Sequence, residues 1–176
     1  MDGITIKHGA YYDGFCLSGI SLSDMKKLLN EAYQWRMKTD GISFASLFQS
    51  LDGWKSELER SKNIFFLALD EHDKLCGMAR LKIIDNYAEV CNFVVSPASQ
   101  GKHIGRLLLE NLTSYAVETG LNYVMSFTAV NATSSVKCHV HSGFNIIGIG
   151  RSAGGYNSYS FIIQIQIPSK CNRRLF

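Results

Sequence analysis

The stretch Val95-Ser96-Pro97-Ala98-Ser99-Gln100-Gly101-Lys102-His103-Ile104-Gly105-Arg106 carries the residue types needed to hold an anion. An apolar run ends, small residues make a loop, and an apolar-striped helix begins. Backbone N–H groups at such a turn point outward, and the positive end of the helix dipole adds to them. The glycines let a phosphate approach the backbone, and Lys102 and Arg106 add positive charge nearby. No Gly-x-x-x-x-Gly-Lys-Ser/Thr occurs, so this is not a Walker loop. The preceding strands form a meander rather than a βαβ unit, so it is not a Rossmann fingerprint either. Local composition leaves two readings open: an anion site, or a helix that starts after a loop and carries solvated basic residues.

Elements must position these residues, and hydrophobic periodicity supplies them. Ser21 to Lys38 reads as a helix, with Ser21 or Ser23 as its cap and Thr39-Asp40-Gly41 as its stop. A second helical stretch is expected from Ser43 to about Arg60, with Phe44, Leu47, Phe48, Leu51, Trp54 and Leu58 near helical spacing. The period then changes. Ile64–Leu69, Leu75–Ile84 and Tyr87–Val95 are apolar runs joined by short polar turns, which predicts an antiparallel meander. Ile104, Leu107, Leu108, Leu112, Tyr115 and Ala116 form one helical stripe that stops at Gly120. Tyr123–Val130 is β-like, Thr133–Ser142 a short helix, and Phe144–Ile149 and Tyr159–Ile167 two final strands around a Gly154-Gly155 loop. Helices and strands mix without strict alternation, so the fold class is α+β, a mixed sheet flanked by helices.

Bulk properties narrow the function classes. A chain of 176 residues favours one domain, read here as residues 1–168 with a short basic tail at 169–176. The net charge of +3 is too small to imply nucleic acid. Cys16, Cys76, Cys91, Cys138 and Cys171 contain no Cys-x-x-Cys pair, so neither a zinc site nor a disulfide framework is expected. No signal peptide and no apolar run of bilayer length is visible, which makes the cytoplasm the default compartment and leaves no membrane partner. Phe161, Ile162, Ile163, Ile165 and Ile167 fit either pairing across a homodimer or ordinary core.

Val95-x-Pro97-x-x-Gln100-Gly101-Lys102-x-Ile104-Gly105 resembles the acetyl-CoA signature of the GNAT family of N-acetyltransferases, centred on Gln/Arg-x-x-Gly-x-Gly/Ala. The order of elements matches that family over nearly the whole chain. The resemblance implies a GNAT-like, mostly antiparallel mixed sheet and acetyl-CoA as co-substrate. It makes Val94, Val95, Gln100, Gly101, Lys102, His103, Ile104, Gly105 and Arg106 cofactor-binding residues. His103 stands where the family's signature has a glycine, and a need for positive φ there would strain it.

A second block, Asn131-Ala-Thr-Ser134-Ser135-Val-Lys-Cys-His139-Val-His141-Ser-Gly143-Phe144, is similar to the family's Asn…Ser/Ala…Tyr/His…Gly-Phe pattern. The resemblance implies cofactor contacts at Asn131 and Ser134, with Ser135 as the alternative by one register step. It places His139 near the cofactor sulfur, as a general acid for the departing thiolate, with His141 on another helical face. It also offers Glu89 as the base that takes the amine's proton through water, and the N–H at a strand bulge as an oxyanion site. By alternation, Glu89, Cys91 and Phe93 share a face with Val95. The implied reaction is acetyl transfer to a primary amine of a small molecule or peptide. The alternative is a non-catalytic acyl-CoA-binding regulatory domain of the same fold.

Overall fold

The computed structural model describes residues 3–41, 49–151 and 159–168. Their core is a seven-stranded sheet in the order β1-β4-β5-β6-β7-β9-β8. It is built from β1 (Thr5–Ala10), β4 (Lys62–Leu69), β5 (Leu75–Ile84), β6 (Tyr87–Val95), β7 (Tyr123–Ala129), β8 (Asn145–Arg151) and β9 (Tyr159–Gln166). Neighbours pair antiparallel except β6 and β7, which are parallel. A small hairpin, β2 (Cys16–Leu17) with β3 (Ile20–Ser21), precedes the first helix. The helices are α1 (Leu22–Asp40), α2 (Leu51–Leu58), α3 (Ile104–Thr119) and α4 (Thr133–His141).

Two apolar clusters sandwich the sheet. Met25, Leu28, Leu29 and Ala32 of α1 and Trp54 and Leu58 of α2 cover one face with Phe65, Leu67, Met78 and Val94. Ile104, Leu108, Leu109 and Leu112 of α3 cover the other with Phe66, Leu81, Val90 and Phe144. The fully buried runs of β4 and β5 follow from this, because helices lie on both faces. α3 sits close because residue 77 is glycine: a Cβ there would lie 2.9 Å from Ile104 Cγ2.

Local signals account for most boundaries. Ser21 caps α1 and forms a reciprocal capping box with Asp24, while Gly41 ends the helix in the left-handed region. Ser50 caps α2, its hydroxyl accepting from Gly53 N–H at 3.0 Å, so this helix begins at Leu51 rather than within one continuous helix from Ser43. Phe44, Leu47, Phe48, the Gly154-Gly155 loop and the 169–176 tail lie outside the described residues. The sheet has one strand that periodicity did not reveal, β1. It is an edge strand with Thr5, Lys7 and His8 exposed, too polar to show an alternating apolar face. β9 lies between β7 and β8, so both its backbone edges are used within the chain. The far edge is β8, whose pairing slips between Ile146 and Gly148.

Among the described residues no helix is long and apolar enough to cross a membrane. No group of three or more His, Cys, Asp and Glu side chains there is placed to hold a metal ion.

Candidate active site

The parallel pair opens into a slot. β6 and β7 are in register only from Tyr87–Tyr123 to Val90–Ser126, and beyond that point the strands diverge. A β-bulge in β6 helps to part them: Asn92 and Phe93 together face Ala79, because Met78 pairs with Val94 and Arg80 with Cys91. Asn92 takes φ +48°, which asparagine tolerates better than most residues. Asn92, alone polar among the apolar residues from Val90 to Val95, is the sequence signal that could have located this bulge.

The bulge changes which side chains share a face. Ala88 and Val90 belong to the α3-side cluster, and so do Phe93 and Val95, whereas Val94 joins the α1 side. Glu89 and Cys91 therefore face α1 with Val94. Simple alternation across Glu89, Cys91, Phe93 and Val95 does not hold, because the extra residue slips the register by one.

Around the slot lies one cleft of about 640 Å³ that reaches both faces of the sheet. Its lining includes Ala32, Tyr33 and Arg36 of α1, the Glu89–Val95 segment, Ser126–Ala129 of β7, and Ser134, Ser135, Cys138 and His139 of α4. Tyr33 looked like ordinary core at its helical spacing in the sequence, and Arg36, Ser126, Thr128 and Ala129 were not singled out there.

The expected anion turn lies at one end of this cleft. Gln100, Gly101, His103, Ile104, Gly105 and Arg106 line it, as do Val94 and Val95; Lys102 does not and is exposed to solvent. Gln100 Nε2 donates to the Val95 carbonyl at 3.0 Å, tying the loop to the strand it leaves. His103 is the N-cap of α3 and gives it no side-chain hydrogen bond, so first-turn N–H groups stay open to a ligand. Arg106 Nε donates to Glu110 Oε1 at 2.7 Å, which offsets part of its charge. Gly105 is where α3 meets α4 and β6: a Cβ would lie 3.1 Å from Cys138 Sγ and 3.3 Å from Phe93 Cζ.

The strain anticipated at His103 is present, with φ +58°. A left-handed conformation costs a non-glycine residue about 1–2 kcal/mol, partly offset by the stiffer unfolded chain. His103→Gly is expected to stabilise the protein by up to about 1 kcal/mol, seen as a melting point higher by about 2–4 °C.

The second block is only partly at the cleft. α4 begins at Thr133, and its N-cap, Ala132, has no side chain able to cap it, so a second helix N-terminus faces the opening with Ser134 and Ser135. Asn131 departs from expectation. Its side chain does not line the cleft but donates through Nδ2 to the Asp40 carbonyl at 2.7 Å, at the end of α1.

His139 is 1% exposed, packed edge-on between Phe93 and Phe144. Its Nδ1 lies 2.8 Å from the Ser135 carbonyl. A carbonyl only accepts, so Nδ1 carries the proton and Nε2 bears a lone pair, which is buried without a partner. Burial pushes its pKa down, against a smaller upward pull from the Ser135 carbonyl. The neutral ring accepts rather than donates at Nε2, so an acid role needs a second proton that burial opposes.

The same burial has a linkage consequence. The unfolded chain binds this proton near the ordinary 6.5, while the folded ring resists until lower pH. The contribution of His139 to stability is full above that value and declines as pH falls toward the folded value. Urea midpoints at pH 7.5 and 5.5 should fall more in the native protein than in His139→Gln.

Two thiols line the cleft, and burial pushes both Cys91 and Cys138 up to about 11. Neither is a ready nucleophile at neutral pH, since the thiolate is the reactive form. The four cysteines among the described residues, Cys16, Cys76, Cys91 and Cys138, are free thiols.

Fold and cleft define a class: the chain belongs to the acetyltransferase (GNAT) family, whose model matches residues 24–144, more than half of its length. Solved structures share the fold at low identity. The PaiA N-acetyltransferase of Thermoplasma acidophilum, in complex with coenzyme A, is 18% identical with a TM-score of 0.68, over 93% of this chain and 98% of that one. The spermidine N-acetyltransferase of Vibrio cholerae, in complex with CoA and spermine, is 18% identical with a TM-score of 0.68, over 92% and 95%. The ribosomal-protein-S18-alanine N-acetyltransferase of Escherichia coli is 17% identical with a TM-score of 0.69, over 98% and 99%. No curated protein matches the sequence.

Proposed function

We propose that the protein is an acetyl-CoA-dependent N-acetyltransferase that transfers the acetyl group to a primary amine of a small molecule or peptide by direct attack on the thioester. The observation that carries this reading is the splayed β6–β7 pair, whose bulged strand meets the uncapped N-terminus of α3 at Gln100–Arg106. The turn suits a pyrophosphate, and the free edge of β6 suits the amide groups of a pantetheine arm, as an added strand would pair. Structural neighbours with coenzyme A bound support the same cofactor. Ser134 at the second helix N-terminus is a further contact.

In this reaction Glu89 faces the α1 side and accepts the amine's proton, through water. The bulge N–H groups near Asn92 and Phe93 stabilise the oxyanion as the nitrogen–carbon bond forms. The carbon–sulfur bond then breaks and the thiolate takes a proton from solvent, because His139 in its present tautomer has none to give at Nε2. The protonated thiols of Cys91 and Cys138 favour direct transfer over an acyl-cysteine.

Purified protein with acetyl-CoA should release free thiol with members of a primary-amine library, and Glu89→Gln should lower kcat by about 10²-fold or more. Calorimetry showing no acetyl-CoA binding would overturn the reading. Tight binding without turnover of any amine would favour the regulatory alternative.

A further inference from the structure

α1 does more than cover the sheet. Near its middle, Glu31 Oε1 accepts from Ser96 Oγ, at the end of β6, at 3.4 Å. At its last residue, the Asp40 carbonyl accepts from Asn131 Nδ2, just past the end of β7, at 2.7 Å. These strands are the two that diverge. The anchor points lie nine residue steps apart along the helix, roughly 13 Å along the axis, against about 4.8 Å between paired strands. Between the anchors, Ala32, Tyr33 and Arg36 turn toward the cleft. Arg36 is ion-paired with Asp40, and both side chains are largely buried.

We infer that α1 is a lintel across the open end of the slot, fixed to β6 by Glu31–Ser96 and to the β7–α4 turn by Asp40–Asn131. Asn131 is then a positioning residue that sets the breadth of the acceptor arm, not a cofactor ligand. The partner of Asn131 is a backbone carbonyl, so substitution of Asp40 alone leaves this tie in place, and Asn131 is the residue to change. The inference rests on the acceptor entering on the α1 side, as the proposed transferase function requires.

Asn131→Ala and the isosteric Asn131→Asp both remove the donor. Cys91 reports on the arm, because it lines the cleft on the α1 side. Cys16, exposed and remote on β2, serves as the reference thiol. Alkylation by N-ethylmaleimide, followed peptide by peptide, should speed up at Cys91 by about fivefold in each variant and stay constant at Cys16. The CoA dissociation constant should stay within about twofold, while KM for the amine rises several-fold with little change in kcat. Glu31→Ala, at the other anchor, should act in the same direction.

A CoA dissociation constant raised about tenfold with Cys91 unchanged would make Asn131 a cofactor ligand and overturn the inference. Unchanged Cys91 alkylation with unchanged CoA binding would also overturn it, since the tie would then hold nothing. Should the native protein acetylate no amine while Cys91 still responds, the function reading fails and the lintel stands.

Discussion

Gly105→Glu is expected to abolish acetyl-CoA binding, with a loss of about 10²-fold or more in affinity. Two effects add. A Cβ at this position sits 3.1 Å from Cys138 Sγ and 3.3 Å from Phe93 Cζ, so α3 must shift away from α4 and β6. The carboxylate also lands in the first turn of α3, where the helix dipole attracts it into the place of a phosphate. Gly105→Ala separates the two, because it carries the overpacking without the charge. It should lower stability by about 1–3 kcal/mol and weaken the cofactor only modestly. Calorimetry with CoA, beside thermal melts of both variants, reads the two effects apart. Gly105→Glu that melts like Gly105→Ala and still binds CoA normally would remove the anion turn from the site.

The second large effect concerns the polar network that braces the bulge from beneath. Arg80 is 3% exposed, and its Nη2 donates to Glu57 Oε1 at 2.6 Å. Its Nη1 donates to Asn63 Oδ1 at 3.3 Å, and Nε is buried without a partner. Burial would raise the Glu57 carboxyl, but Arg80 and the Gln49 amide hold it below the ordinary range. Glu57→Ala leaves a guanidinium inside the sheet with one neutral partner. The expected cost is about 3 kcal/mol, at the low end for a broken buried pair because the Glu57 side of the pair is open to water. That is a melting point lower by about 6–12 °C. Arg80→Met removes the charge as well and should cost less, since an apolar side chain of similar length fills the space. Equal losses in both variants would show that the stranded guanidinium adds no cost beyond the lost ion pair. Arg80 pairs with Cys91 next to the bulge, so Glu57→Ala should also weaken cofactor binding.

Much of this molecule was legible from local signals. The cap at Ser21, the stop at Gly41, the stripe of α3 and its end at Gly120 depend on residues within a turn or two of each other. The turn from β6 into α3 was legible for the same reason, and His103, where the resemblance expected a glycine, takes the positive φ that such a position would need. Features set by distant partners were not. The polar edge strand β1 is a strand because β4 lies beside it. The faces of β6 depend on how many residues β5 sets opposite Asn92 and Phe93, so period-two counting put Glu89 on the same side as Val95. Asn131 sits within a cofactor-like motif, yet its side chain answers to a carbonyl 91 positions earlier in the chain. His139 could be placed by spacing, but the tautomer that limits its chemistry is set by the Ser135 carbonyl and by the rings of Phe93 and Phe144.

A cleft that reaches both faces of the sheet also bears on kinetics. Under the proposed reaction the pantetheine arm pairs along the free edge of β6, and the amine arrives from the α1 side, where Tyr33 and Arg36 line the cleft. Neither substrate has to leave before the other can enter. Initial-velocity plots at varied amine and acetyl-CoA should therefore intersect rather than run parallel, the signature of a ternary complex in place of an acyl-enzyme. A bisubstrate molecule, with the amine joined to the CoA sulfur through an acetyl bridge, would pass through the gap between β6 and β7 and fill both arms at once.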